Sequence, residues 1–190
     1  MNLNPATVES FPTLYTTRLK LRKLEQSDLP LIVLYANNKK IADNVLSFPH
    51  PYQQKDALDW MASTYKGFEE KQKFVFAIAI KETNAFVGAI GLNLDMTNNK
   101  AELGYWIGEP HWSKGLATEA IGAVLQYGFI SLELHKIYAT HFTDNPASGK
   151  VMTKNGMIRE GHLKDHYKKG VVYKSVIQYR LTKEEFGHLG

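Results

Sequence analysis

Trp112-Ser113-Lys114-Gly115-Leu116-Ala117-Thr118-Glu119-Ala120 reads as a turn that opens a helix. Ala117, Ala120, Ile121, Val124 and Gly128 follow at i, i+3, i+4, i+7 and i+11, the spacing of one helical face. A helix N-terminus presents unpaired N–H donors and the positive end of a dipole, which suits a pyrophosphate. Gly115 and Ala117 would let phosphate approach the backbone, Thr118 offers a hydroxyl, and Lys114 could place charge at the rim. The segment lacks the G-K-S/T ending of a Walker loop and is not G-x-G-x-x-G. Taken alone, a glycine that merely starts a helix explains it as well.

Working outward, Ala101 to Ile107 reads as a strand, preceded by strand-like runs Phe74–Ile80 and Ala85–Ile90. A turn at Thr97-Asn98-Asn99 and short links make these three an antiparallel meander. Further upstream, Arg18-Leu19-Lys20-Leu21-Arg22-Lys23-Leu24 alternates charge and leucine, the period of a half-buried strand. Ser27-Asp28 is expected to cap a short helix through Leu31, Val33 and Leu34. The link Phe48-Pro49-His50-Pro51-Tyr52 leads into a helix from about Gln54 to Glu70, with Ala57, Trp60, Met61 and Tyr65 on roughly one face. Downstream lie a strand from Lys136 to Thr140, a helix from Pro146 to about Lys154, and strands near 157–161 and 171–181. Asn145 is a favoured N-cap, and Pro146 at the first helical position sacrifices no hydrogen bond. The order β-α-α-β-β-β-α-β-α-β-β predicts a mixed α/β sandwich around a central sheet, as a single domain over residues 1–190.

The 190 residues suffice for one proper core. With 44% hydrophobic and 22% charged residues the composition is that of a globular protein. The absence of cysteine excludes disulfides, thiolate catalysis and an acyl-cysteine route. The start Met1-Asn2-Leu3-Asn4-Pro5 lacks the basic and apolar regions of a secretory signal. No apolar run approaches the ~20 residues of a membrane span, so a cytoplasmic protein without a membrane partner is expected. The net charge of +4 fits plain solubility, or a rim that attracts an anionic ligand. Basic residues are scattered, so nucleic-acid binding is not expected beyond a ribosomal substrate. His162 and His166 stand four apart in a predicted hairpin, where that spacing does not align two ligands, and no metal is expected.

Ala101-Glu102-Leu103-Gly104-Tyr105-Trp106-Ile107-Gly108 before the turn, and Asn145-Pro146-Ala147-Ser148, Lys154-Asn155-Gly156-Met157 and Glu160-Gly161 after it, together resemble the GCN5-related N-acetyltransferase (GNAT) superfamily. With Thr17 to Arg22, Pro51-Tyr52, Asp56-Ala57 and Trp60, the pattern is most similar to the ribosomal-protein alanine N-acetyltransferase (RimJ/RimL-type) branch, over roughly residues 14–182. The resemblance implies the GNAT fold: α+β, with a mixed, mostly antiparallel sheet of about seven strands and about four helices. It also implies acetyl-CoA as cofactor. The pyrophosphate motif, Q/R-x-x-G-x-G/A, falls on residues 112–117; pantetheine would fit as a pseudo-strand where the strand before the turn splays from its neighbour. Cofactor contacts are thereby expected from Tyr105, Trp106, Ile107, Trp112, Ser113, Lys114, Gly115, Leu116, Ala117, Thr118, Asn145 and Ser148. Two departures stand out. Trp112 occupies the Q/R position, leaving the phosphate grip to backbone donors, and Ser175 replaces the aspartate often found four residues before the tyrosine of the last long strand, here Tyr179.

Acetyl transfer from a thioester needs a neutral amine, donors for the developing oxyanion, and a proton for the leaving thiolate. Glu102, on the strand bordering the cofactor gap, is the first candidate for the base, acting through water. Ser148 is the candidate that stabilises or protonates the thiolate, with Tyr105 and Tyr138 behind it, and a backbone N–H of residues 105–107 would polarise the carbonyl. Phe48, His50, Tyr52 and Trp60 are candidates for the acceptor side, or equally for a satellite core; His111 is a further loop histidine near it. The resemblance favours the N-terminal α-amine of a protein or peptide. A small amine (amino acid, polyamine or aminoglycoside), a non-catalytic acyl-CoA-binding domain and an RNA- or ribosome-associated module are the alternatives. A monomer or homodimer is expected.

Overall fold

The computed structural model describes residues 10–189. In chain order the elements are β1 (Leu14–Tyr15), β2 (Leu19–Lys23), α1 (Leu29–Ala36), α2 (Lys39–Ala42), α3 (Gln54–Glu69), β3 (Lys73–Ile80), β4 (Phe86–Asp95) and β5 (Lys100–Ile107). After these come α4 (Leu116–Gln126), β6 (Lys136–Phe142), α5 (Pro146–Lys154), β7 (Ile158–Lys169), β8 (Val172–Thr182) and α6 (Lys183–Gly187). The strands form one sheet in the order β1-β2-β3-β4-β5-β6-β8-β7. Every neighbouring pair is antiparallel except β5 and β6. A parallel pair needs a crossover, and α4 supplies it.

The mixed, mostly antiparallel sheet is the expected one. Among the described residues there are eight strands and six helices, against about seven and about four expected. The additions are short: two residues in β1, four in α2 and five in α6. β7 extends well past its expected end, to Lys169, as an edge strand with no buried residue along its length. Its half-buried face carries Gly161, Leu163, Tyr167 and Lys169, too mixed in polarity and too interrupted by irregular register to read as an apolar alternation.

The leucines of β2 sit where alternation placed them, with Leu19 and Leu21 fully buried. Asp28 does not cap α1 through its side chain. Its carboxylate instead takes the Glu25 N–H at 2.9 Å and forms a bidentate pair with Arg22, both bonds 2.8 Å. Both members are almost fully buried.

The sheet separates two cores. On one face α4 covers Leu21, Phe76, Leu92, Leu103 and Ile137. On the other, α1, α2 and α3 cover a cluster containing Ile32, Phe48, Tyr52, Met61, Phe86 and Trp106. Side chains alternate along a strand, so β5 sends Leu103 and Tyr105 to the α4 face, and Glu102, Gly104 and Trp106 to the other. No helix among the described residues is long and apolar enough to cross a membrane.

Arg22→Met should leave a buried carboxylate unpaired and lower the unfolding free energy by about 3–5 kcal/mol. Arg22→Met combined with Asp28→Leu should recover most of the loss. Denaturant titration of the three proteins checks both expectations.

Candidate active site

β5 and β6 pair over only three residues, Lys100 to Glu102 against Lys136 to Tyr138. Beyond them β5 continues against β4 as far as Ile107, while β6 continues against β8 as far as Phe142. Residues 103–107 of β5 thus have a strand on one side only among the described residues. The wedge between the two strands offers backbone hydrogen-bonding groups to an extended ligand, as an exposed sheet edge does.

At the top of the wedge the chain turns into α4. Ser113 (φ 60°) and Gly115 (φ 76°) are both left-handed, which is why the turn takes glycine where it does. The exposed residues 112–115 leave the first turn of α4 open to solvent, with Leu116 buried and Ala117 and Thr118 half-buried. Trp112 does not aim its indole N–H at a ligand: it donates to the Ile107 carbonyl at 2.6 Å and braces the turn. Lys114 Nζ donates to the Pro110 carbonyl at 2.8 Å.

A second brace comes from far upstream. Arg18 donates through Nε and its backbone N–H to Glu119, at 2.6 and 2.7 Å, and through Nη1 to the Lys114 carbonyl at 2.8 Å. Thr16 Oγ1 also donates to Glu119. Burial alone would raise the Glu119 pKa, but the hydrogen bonds from Thr16 and Arg18 bring it below its ordinary value. Arg18 thereby sets a guanidinium beside Gly115, a cation at the helix start that sequence reading assigned only to a strand. No local pattern reveals a pair 101 residues apart.

Below the turn, Tyr105 and Ser148 meet. The phenol lies 2.7 Å from Ser148 Oγ and 3.2 Å from the Ser148 carbonyl. Burial pushes the Tyr105 pKa up to about 12, so the phenol is protonated at neutral pH. Asn145 caps α5 as expected, accepting the Ser148 N–H, and Pro146 follows it. Near them, His141 on β6 is buried with Nδ1–H donating to the Phe142 carbonyl at 2.8 Å.

Glu102 occupies the opposite face of β5, half-buried. Burial pushes its pKa up, partly offset by a hydrogen bond from Thr140 and by the nearby His166. Tyr167 also bonds Thr140, and Tyr138 lies close enough to Glu102 to feel its charge. The strand therefore carries a carboxylate with elevated proton affinity on one face and a protonated phenol with a serine on the other.

The expected acceptor-side residues divide. Trp60, Tyr52 and Phe48 pack in the aromatic cluster around Trp106, with Phe48 5.6 Å and Trp60 6.4 Å from the Trp106 ring. The Trp106 side chain thus belongs to this core and not to the wedge, whereas Ile107 contributes its carbonyl to Trp112. Phe48 also reaches a surface groove of about 470 Å³, which His50 borders together with Lys168, Lys169 and Gly170. Lys169 closes one end of it, its ammonium donating to the carbonyls of Val45, Leu46 and Phe48. His111 is tied to the Tyr35 hydroxyl at 3.2 Å. Among the described residues no group of three or more possible metal ligands occurs.

The profile of the acetyltransferase (GNAT) domain matches residues 18–158. The chain belongs to the GNAT acetyltransferase family. It is 34% identical to an uncharacterized N-acetyltransferase, p20, of Bacillus licheniformis, over 92% of this chain and 98% of that one. It is 29% identical to the ribosomal-protein-serine acetyltransferase of Escherichia coli, over 71% of this chain and 75% of the relative. Among solved GNAT structures, spermidine N-acetyltransferase from Vibrio cholerae in complex with CoA and spermine superposes with a TM-score of 0.77 at 27% identity, covering 90% of this chain and 99% of that one. This GNAT chain is accordingly an enzyme that moves acetyl groups to amines.

Glu119 is more acidic folded than unfolded, so its stabilisation is present above the unfolded pKa and lost as pH falls through the folded one. The stability difference between the unmodified protein and Glu119→Gln should therefore be full at neutral pH and shrink below about pH 4.5. Thermal unfolding across an acid pH series measures it.

Proposed function

We propose that this chain is a cytoplasmic enzyme that transfers an acetyl group from acetyl-CoA directly to the N-terminal α-amine of a protein or peptide. The observation that carries this reading is the open edge of β5, with Tyr105–Ser148 on one face and Glu102 on the other. The residues present fit the donor: exposed N–H groups at the start of α4 with Arg18 beside them suit its phosphates, and the edge of residues 103–107 suits an amide-bearing arm. Acetyl-CoA supplies a thioester carbonyl activated towards amines.

Glu102 removes the proton of the attacking amine through water. An α-amine has an ordinary pKa of about 7.7–8.0, against about 10.4 for a lysine side chain. Roughly a tenth or more of it is neutral at pH 7, so little help from a base is required. N–H groups on the open edge of β5 receive the charge that develops on the carbonyl oxygen. Tyr105 and Ser148 form a short donor chain that delivers a proton to the departing sulfur. No cysteine is available to hold the acetyl group, which supports one-step transfer.

Relatives act on ribosomal proteins and on spermidine, and charge favours the former kind of acceptor here. The groove between the Leu46–His50 loop and the β7–β8 tip is lined by Lys168, Lys169 and His50 and by no carboxylate. A polyamine would meet two lysine ammoniums there, offset in part by the Asp43 carboxylate near Lys169. A peptide presents one amine and a chain of carbonyls.

Two measurements test the proposal. Calorimetric titration should show acetyl-CoA binding to the unmodified protein and loss of binding in Gly115→Glu, and thiol release should be faster with N-terminal peptides than with spermidine. Absence of binding, or a preference for the polyamine, would overturn the corresponding half. Because Glu102 acts unprotonated and its pKa is raised, kcat/KM should climb with pH through a limb above the ordinary carboxylate range. Glu102→Gln should erase that limb and slow turnover by roughly 10²–10⁴-fold; an unchanged profile would remove Glu102 from the reaction.

A further inference from the structure

Gly104 lies in mid-strand on β5, between Glu102 and Trp106 on the same face, and it is exposed. A Cβ built there would meet no atom within 4 Å. Its neighbours differ. Gly91, its partner across β4, is packed so that a Cβ would come within 2.9 Å of the Phe74 carbonyl oxygen, and one at Gly88 would come within 2.2 Å of the Trp106 carbonyl oxygen. Those two positions need glycine for packing. Gly104 does not, and it is not among the residues of positive φ, so the backbone does not require glycine either.

Glycine inside a strand costs about 0.5–1 kcal/mol relative to alanine. Where neither packing nor backbone demands it, a strand glycine marks a place that something else approaches closely. Here the open position adjoins the half-buried Glu102 carboxylate, with Thr140, Tyr138 and Tyr167 on that side and the Trp106 aromatic cluster on the other. Tyr105, of the opposite pleat, points to Ser148 on the α5 side.

We propose that Gly104 is a specificity-determining residue: the space left by its missing side chain receives the group attached to the carbon that bears the acceptor amine. In a peptide acceptor that group is the side chain of the first residue. This rests on the reading of Glu102 as the acceptor-side base. Position 104 also lends its backbone to the edge proposed for the donor arm, but a side chain there projects to the Glu102 face, away from the Tyr105–Ser148 pair, so its effect should grow with the size of the acceptor's own substituent, which a change in donor binding would not do.

The test is Gly104→Ala and Gly104→Val, assayed with peptides that differ only in their first residue: glycine, alanine, serine or leucine. Valine suits a strand, and an unchanged thermal midpoint verifies the fold; if Gly104→Val does not fold, the alanine variant carries the test. Acetyl-CoA affinity is measured by calorimetry on each variant, so that any loss of donor binding, which lowers use of all acceptors alike, is separated from a change in acceptor preference. KM should rise progressively with the size of the first side chain, by roughly tenfold or more for leucine relative to glycine in Gly104→Val, with a smaller graded rise in Gly104→Ala. Unchanged KM values across the series would overturn the proposal, as would an equal loss for all acceptors together with lost acetyl-CoA affinity. If the unmodified protein used only non-peptide amines, the peptide reading would fall by itself; Gly104→Val would then be compared on amines with bare and substituted α-carbons.

Discussion

The parting of β6 from β5 after three paired residues is the constraint on which the site depends. An interior strand ordinarily satisfies its backbone on both sides. Here the two strands are held apart by their other partners, since β4 keeps β5 to its end and β8 keeps β6 to its end. α5, which follows β6, fills the side of the wedge above Tyr105 and joins it through Ser148. The opening is therefore built into the sheet by pairing preferences of its neighbours, and needs no displaced loop to create it.

From this opening the pleat of β5 does the rest. Consecutive residues face opposite ways, so a strand one residue thick puts a carboxylate on one side and a phenol on the other. Glu102 and Tyr105 are three positions apart and hence on different faces. Burial pushes both pKa values above their ordinary ranges and keeps the phenol protonated at neutral pH.

Much of this was legible in the sequence because it is local. Period-two leucines marked β2, the apolar face spacing marked α4, Asn145-Pro146 marked the start of α5, and the residues around Gly115 marked the turn. What stayed hidden is non-local or unpatterned. The Arg18–Glu119 brace joins segments 101 residues apart, and neither residue looks unusual where it stands. Trp106 and Trp112 both looked like wedge residues, but one indole fills the far core and the other is tied to the Ile107 carbonyl. Their chemistry was visible and their direction was not, since that of Trp106 depends on the face its strand position takes and that of Trp112 on the path of the turn. The elongation of β7 escaped because its half-buried face mixes Gly161 and Lys169 with Leu163 and Tyr167 and is broken by irregular register, so no apolar alternation shows in the sequence.

The absence of cysteine acquires a different meaning once the chemistry is in view. A transfer from a thioester leaves a free thiol that must make its exit at every turnover. A cysteine anywhere near that exit could be trapped as a mixed disulfide with the product under oxidising conditions. This chain offers no sulfhydryl to trap, and its only sulfur is the thioether of five methionines. The catalyst is thus redox-silent towards its own by-product, and every thiol that appears in its reaction mixture belongs to the product.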